Sequence, residues 1–156
     1  MKKLHISEEL KALINESIDK TPEYCVATIN STPAQTISSN YSVNLNKIVR
    51  ANGNFTLFNG GIKVGEGIHH IRVSGGIFAD NWPAGNKYLW GVVRNGTVPI
   101  GSCIASGGSG YLSSCIPSVI IEVQEGDVIN LLADSPGGGT LRSGGSNTWL
   151  CVEKID

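Results

Sequence analysis

The chain has 156 residues, close to the usual size of one domain, and no run of about 18 apolar residues that could cross a membrane. Charged residues make up only 16% of it, against about 25% in an average protein, while 20 residues are glycine. The surface is therefore expected to be rich in serine, threonine, asparagine and glycine, as in turn-rich β proteins. A formal net charge of -1, with no stripe of lysine or arginine, argues against nucleic acid as a partner.

The N-terminal segment, residues 1–22, carries the only helical pattern of the sequence. Ser7 is suited to cap a helix over residues 7–19, and the acidic pair Glu8 and Glu9 suits the positive end of its dipole. Apolar residues then recur at three- and four-residue spacing: Ile6, Leu10, Leu13, Ile14 and Ile18. A helix of about three turns is marginal alone, so this stripe is expected to pack on its own domain, on other copies or on a different protein.

The same segment lacks the long apolar stretch and small-residue cleavage site of a secretory signal. We therefore expect no secretion signal and interpret residues 1–22 as an anchoring or docking segment, with residues 23–156 forming the folded domain.

From Tyr24 onward the apolar residues alternate with a period of two, and glycine, asparagine and proline separate the runs. This pattern predicts nine short strands and an all-β sandwich or barrel. The predicted strands span residues 23–29, 41–50, 54–58, 68–78, 87–94, 97–105, 113–124, 127–133 and 147–155.

Two turns are specified by local chemistry. Asn95-Gly96 favours the positive φ values of a type I′ turn and predicts a hairpin between strands 87–94 and 97–105. Glu125-Gly126-Asp127 predicts the chain reversal between strands 113–124 and 127–133, with glycine in the strained position. The carboxylates of this second turn are interpreted as turn formers and not as catalysts.

The four cysteines, Cys25, Cys103, Cys115 and Cys151, have no C-x-x-C spacing, so zinc-ribbon and thioredoxin-type sites are excluded. Buried free thiols are expected, and a bridge between Cys103 and Cys115 across a hairpin stays open as an alternative. His69 and His70 are neighbours on a predicted strand and point to opposite faces, which predicts one buried and one exposed histidine and no shared metal ion.

No catalytic motif is present in the sequence. The glycine clusters at 107–110, 137–139 and 144–145 lack the Lys-Ser/Thr of a phosphate-binding loop, and neither G-x-S-x-G nor H-E-x-x-H occurs. We therefore predict no catalytic residues, no metal site and no cofactor, and an enzyme ranks third among the functional classes considered.

The segment ADNWPAGN, residues 79–86, is the best candidate for recognition by sequence. A tryptophan with polar neighbours in a loop offers a flat apolar face of the kind that holds sugars and protein epitopes, so the predicted ligand-binding residues are Asp80, Asn81, Trp82 and Asn86. The alternative is that Trp82 folds back to cap the sandwich. A calcium ion at Asp80 is weakly supported, because calcium prefers six to eight oxygen ligands.

Four stretches follow one another along the chain: GIHHIRVSGGI (67–77), LWGVVRNGT (89–97), IIEVQEGDVINLL (120–132) and TWLCVEKI (148–155). Their order resembles that of the C1q and tumour-necrosis-factor jelly-roll superfamily, and the resemblance covers residues 24–156. It implies a jelly-roll β-sandwich preceded by the short helix.

The resemblance also implies a homotrimer packed about a threefold axis. Carried over by position, the residues expected to face the axis are Ile116, Ser118, Ile120 and Trp149, whereas Val119, Ile121 and Val123 are expected to point into the sandwich core.

A helix before a trimeric head resembles the layout of head fibres and decoration proteins of tailed bacteriophages. This analogy implies a non-enzymatic virion structural protein, assembled in the host cytoplasm, that docks on a capsid through Leu10, Leu13, Ile14 and Ile18. The alternative is a lectin-like module of the C1q type that recognises cell-surface glycans or a protein partner.

Overall fold

The computed structural model describes residues 7, 8, 11, 22–30, 34–82, 87–106, 110–135, 137–143 and 147–155. Thirteen strands lie in this part of the chain. They are β1 Tyr24–Thr28, β2 Gln35–Thr36, β3 Tyr41–Ser42, β4 Lys47–Asn52, β5 Phe55–Phe58, β6 Gly61–Val64, β7 His70–Trp82, β8 Lys87–Arg94, β9 Val98–Ser106, β10 Gly110–Glu122, β11 Val128–Asp134, β12 Thr140–Leu141 and β13 Trp149–Lys154.

The strands form two sheets, and all the pairings within them are antiparallel. The larger sheet has the order β2-β12-β7-β13-β1-β4, and β10 pairs with β7. The smaller sheet has the order β5-β6-β11-β8-β9, and β3 pairs with β11. The predicted jelly-roll sandwich is confirmed.

The core lies between the two sheets because alternate residues of each strand point inward. In β7 the inward positions include Ile71, Val73 and Ile77, and they meet Leu131 of β11 and Leu150 of β13 in one cluster of buried side chains. This burial is the main stabilising contribution that the alternating pattern predicts.

Both predicted turns are present. Asn95 and Gly96 have φ values of 53° and 76°, and β8 and β9 form the expected hairpin. Gly126 has a φ of 91°, and the chain reverses there. However, β10 and β11 belong to different sheets, so this turn crosses the sandwich and does not close a hairpin.

The predicted single strand over residues 41–50 is wrong. It is divided into β3, in the smaller sheet, and β4, in the larger one. The alternation misleads because Val43 and Leu45 are buried in the connection between the two strands, where they continue the period-two pattern. The strand β6 and the two-residue strands β2 and β12 were not predicted, since glycine or polar residues surround them.

The histidine prediction is also wrong, because both His69 and His70 are exposed. The cysteine alternative fails on topology: β9 and β10 follow one another in the chain but lie in different sheets. Cys115 is an exposed free thiol, so no bridge joins it to Cys103.

For the N-terminal helix, only three residues are described. Glu8 and Lys11 have helical backbone, and the Lys11 N–H donates to the Ser7 carbonyl at 3.0 Å. The Lys11 ammonium also lies 2.6 Å from a Glu8 carboxylate oxygen. The predicted docking residues Leu10, Leu13, Ile14 and Ile18 lie outside the described residues.

Candidate functional site: the outer face of the larger sheet

The candidate site is the solvent side of the larger sheet, here called the outer face. Residues that alternate with the buried positions of β1, β7, β10 and β13 point to this side. It carries apolar and aromatic side chains that a solvated sheet face normally lacks: Tyr24, Val26, Phe78, Tyr111, Ile120 and Trp149.

At one end of the outer face, three side chains from β7, β10 and the segment after β12 stack in a column. The rings of Phe78 and Tyr111 lie 5.8 Å apart at an interplanar angle of 14°. The Arg142 guanidinium lies 4.2 Å from the centre of the Phe78 ring, within the range of a cation–π contact. Tyr111 is nevertheless 64% exposed, so this aromatic surface is available for contact.

Asp80 is held by the same arginine. Arg142 Nε donates to Asp80 Oδ2 at 2.9 Å, and Arg142 Nη2 donates to Oδ1 in a bidentate pair. This hydrogen bond lowers the pKa of the Asp80 carboxyl below its ordinary value. Asp80 is therefore ionised and already paired, which leaves it poorly suited to hold a calcium ion.

In the middle of the outer face, Trp149 covers Gly76. A Cβ atom at Gly76 would stand 2.6 Å from Trp149 Nε1 and 3.0 Å from Cε2, which is closer than real Cβ contacts allow. Gly76 pairs with Cys115 on one side and with Trp149 on the other. The glycine thus lets the indole lie flat against β7, next to the exposed edge strand β10.

The pairing of β10 with β7 contains a β-bulge that changes which side chains face outward. The register passes from Ile116 opposite Gly75 to Val119 opposite Val73, so β10 has one extra residue there. Ile116 consequently points inward, is 7% exposed and belongs to the core. The expectation that Ile116 faces outward is wrong, because strict alternation does not hold through the bulge.

Beyond the bulge the sides agree with expectation. Ser118 is exposed and Ile120 is 60% exposed, whereas Val123 is buried. Val119 and Ile121 are half-buried and pack on the core. Ser118, Ile120 and Trp149 therefore share the outer face, and their role in a trimer stays a prediction.

Four charged side chains of the outer face form two ion pairs within the subunit. Arg72 Nη1 lies 2.8 Å from Glu153 Oε2 across β7 and β13, and Arg142 is paired with Asp80. If a second protein surface covered this face, these charges would keep their partners. The most costly outcome, a buried charge without a partner, would then be avoided for them.

The proposed recognition loop is partly a strand. Ala79 to Trp82 form the end of β7, with Asp80 opposite Tyr111 on β10 and Thr140 on β12. Asn81 has a φ of 55°, beside a register shift at Gly110. Asn86 and the side chain of Trp82 lie outside the described part. Sequence reasoning missed Arg142, which no local motif connects to Asp80, 62 residues away.

Among the side chains that the structure describes, no three of His, Cys, Asp and Glu are grouped as a metal site would require. Across the described ranges, no helix is long and apolar enough to span a membrane.

The described thiols differ in accessibility. Burial and, to a smaller extent, the nearby Cys151 together raise the pKa of Cys25 to about 11. Burial and the neighbouring Glu153 also raise the pKa of Cys151, although a hydrogen bond with Ser74 opposes this. Cys115 is exposed on the outer face, so it is the accessible thiol among the three described free cysteines.

No family model matches the sequence, and no curated protein matches it. Solved structures do match the fold. The structure of Eiger TNF from S. frugiperda superposes with a TM-score of 0.69 at 12% identity, covering 88% of this chain and 94% of that one. The crystal structure of murine APRIL at pH 5.0 gives a TM-score of 0.67 at 14% identity, covering 86% of this chain and 100% of that one. With two antiparallel sheets in this arrangement, the chain has the jelly-roll fold of the C1q and tumour-necrosis-factor superfamily.

Proposed function

We propose that the protein is a non-enzymatic binding module of the C1q/TNF type that assembles as a homotrimer through the outer face of the larger sheet. The observation that carries this proposal is the exposure of Tyr111 and Ile120, at 64% and 60%, on the same face as Trp149. Exposed apolar surface of this kind marks protein interaction sites in soluble proteins.

The aromatic content of the outer face supports the same proposal. Interface cores are enriched in aromatic residues, and this face carries Phe78, Tyr111 and Trp149. The resemblance to the C1q and tumour-necrosis-factor superfamily implies a threefold arrangement of the copies.

The test is the solution mass of the purified full-length protein by light scattering. The wild-type chain should have the mass of a trimer, and Ile120→Asp should give monomers, because an unpaired carboxylate in a dry interface costs several kcal/mol. Phe58→Asp is the matched control, since Phe58 is 48% exposed on β5 of the smaller sheet. A wild-type monomer, or an unchanged trimer for Ile120→Asp, would contradict the proposal.

A finer proposal is that the trimer is a head fibre or decoration protein of a tailed phage. Its support is the layout alone, a segment with an amphipathic helical pattern before a jelly-roll head. Replacing Leu10 and Leu13 with Asp should abolish co-sedimentation with phage particles without changing the melting temperature of the head. Wild-type protein that fails to co-sediment would count against this role.

The alternative proposal of a lectin-like module at residues 79–86 rests on Trp82 and Asn86, since Asp80 is already paired with Arg142. Glycan binding that falls in Trp82→Ala would support it, and binding unaffected by that change would exclude this segment as the site.

A further inference from the structure

A pocket of about 360 Å³ lies on the smaller sheet, away from the outer face of the larger one. This volume falls within the usual range of small-molecule pockets, about 300–1,000 Å³. Its lining comes from β3, the turn between β5 and β6, the β8–β9 turn and β11. The described lining residues are Ser42, Asn59, Asn95, Gly96, Val128 and Asn130.

Asn130 is the unusual member of this set. It lies on β11 between the inward-facing Ile129 and Leu131, and it is only 6% exposed although it points away from the core. Its amide can take part in up to about four hydrogen bonds. Within the described part of the chain it makes one, from Nδ2 to the Asn59 carbonyl at 3.5 Å, which is at the distance limit for such a bond.

A buried amide with so little of its hydrogen-bonding capacity used calls for a partner, because buried polar groups are nearly always satisfied. Gly61 leaves the space that this amide occupies, since a Cβ atom at Gly61 would clash with Asn130 Nδ2 and stand 2.6 Å from the Ile129 carbonyl oxygen.

Two further polar side chains line the pocket with unused capacity. No hydrogen bond is formed by the Ser42 hydroxyl or by the Asn59 side-chain amide with other described residues. The Asn95 side chain differs from these two because both ends of its amide are already hydrogen-bonded. Its Nδ2 donates to Asp127 Oδ1, and its Oδ1 accepts from the Val128 N–H, both at 2.8 Å.

We infer that this pocket, here called the Asn130 pocket, binds a neutral polyhydroxylated ligand, a saccharide unit, through Asn130, Asn59 and Ser42. Amide and hydroxyl groups pair as donors and acceptors with sugar hydroxyls, and the Val128 side chain offers an apolar contact for the ring. None of the described lining residues is charged, so an anionic or cationic ligand would find no counterion there.

The inference goes beyond the proposed trimer and does not depend on it. The pocket is on the smaller sheet and the proposed contact is on the larger one, so the residues that carry the two proposals do not overlap. A single sample can therefore be tested for both properties separately.

The experiment is a titration of isotope-labelled full-length protein, followed by NMR, with glucose, galactose, mannose and N-acetylglucosamine, and with glucuronic acid as the charged comparison. At least one neutral sugar should shift the side-chain amide signals of Asn130 and Asn59, and glucuronic acid should shift them less. If no sugar moves these signals, ordered water is the only occupant and the inference is wrong. Stronger shifts with glucuronic acid than with every neutral sugar would also overturn it.

Variants connect any binding to the pocket. Asn130→Leu and Ser42→Ala should each weaken binding about tenfold or more, as expected when a hydrogen-bonding partner of a bound hydroxyl is removed. Asn59→Gly removes the side-chain amide. The backbone conformation should be kept, because Asn59 has a φ of 47° and glycine adopts positive φ values readily. Asn40→Gly is its matched control, because Asn40 has a φ of 53° and lies outside the pocket lining.

Asn130→Leu also separates a binding role from a structural one. A residue kept for binding should be replaceable by a similarly sized apolar residue with an unchanged or higher melting temperature. Binding that survives all three pocket variants but is lost in Trp82→Ala would place the saccharide site at residues 79–86 and overturn the assignment. Light scattering on the same samples reports the trimer independently.

Discussion

Asn95 Nδ2 donates to Asp127 Oδ1 at 2.8 Å, joining two turns that are 32 residues apart in the chain. The Asn95 side-chain oxygen in turn accepts from the Val128 N–H, and the Asn95 N–H donates to the Val128 carbonyl, both at 2.8 Å. Asp127 Oδ2 accepts from the Gln124 N–H within its own turn. The hairpin turn of β8–β9 is thereby fastened to the turn that crosses between the sheets.

This arrangement predicts that Asp127→Ala destabilises the fold. The change removes the acceptor of two hydrogen bonds between exposed groups, at a cost of about 0.5–1.5 kcal/mol for each bond. Urea unfolding should show the loss as a lower midpoint. Glu125→Ala is the matched control, since Glu125 is the exposed acidic residue of the same turn and should change stability by less than about 0.5 kcal/mol. Equal effects of the two variants would show that Asp127 acts only through its charge.

A second prediction concerns the close approach of Trp149 to β7. Gly76→Ala should cost about 1–3 kcal/mol, because the added methyl group displaces the indole or the strand. Thermal unfolding followed by tryptophan fluorescence measures both the stability and the indole environment. Gly101→Ala is the control, since a Cβ atom there would meet Ile116 and Val119 at 3.7 and 3.9 Å, which is ordinary contact. A Gly76→Ala protein as stable as Gly101→Ala would mean that the indole moves aside without cost.

Local chemistry made the two turns and the sandwich predictable from sequence. Asn-Gly and Glu-Gly-Asp have few backbone alternatives, and the positive φ values at Asn95, Gly96 and Gly126 follow from them. The period-two pattern likewise identified most strands, because inward and outward positions alternate along each of them.

The remaining features depend on contacts that sequence spacing does not reveal. The bulge between Ile116 and Val119 reverses the expected side of Ile116, and nothing in the local sequence marks it. Arg142 reaches Asp80 from 62 residues away, and Asn130 meets Asn59 from 71 residues away. Both the column at Arg142 and the Asn130 pocket arise from strand order, which the alternating pattern leaves undetermined.

A third prediction follows from the lowered pKa of Asp80. The hydrogen bond from Arg142 holds this pKa below its ordinary value of 3.8, so the pair stabilises the folded state above that pH. The contribution is lost as the pH falls through the lowered pKa. The melting temperature of wild type should exceed that of Asp80→Asn at pH 7, and the difference should shrink near pH 2. The effect should be small, because exposed ion pairs contribute little. A difference that is independent of pH would exclude the ion pair as its cause.

The last prediction uses Cys115 as a reporter of the proposed trimer contact. Cys115 is exposed in the single subunit. It lies on β10 opposite Gly76 of β7, and Trp149 of β13 lies on the other side of the same glycine. If the outer face is covered by neighbouring copies, a maleimide should label Cys115 slowly in the wild-type protein and quickly in Ile120→Asp. A Cys115→Ala variant identifies its share of the label, and Phe58→Asp should keep the slow rate because it leaves the outer face unchanged. Fast labelling of a wild-type trimer would place the contact elsewhere on the molecule, since three copies joined through this face would enclose the thiol.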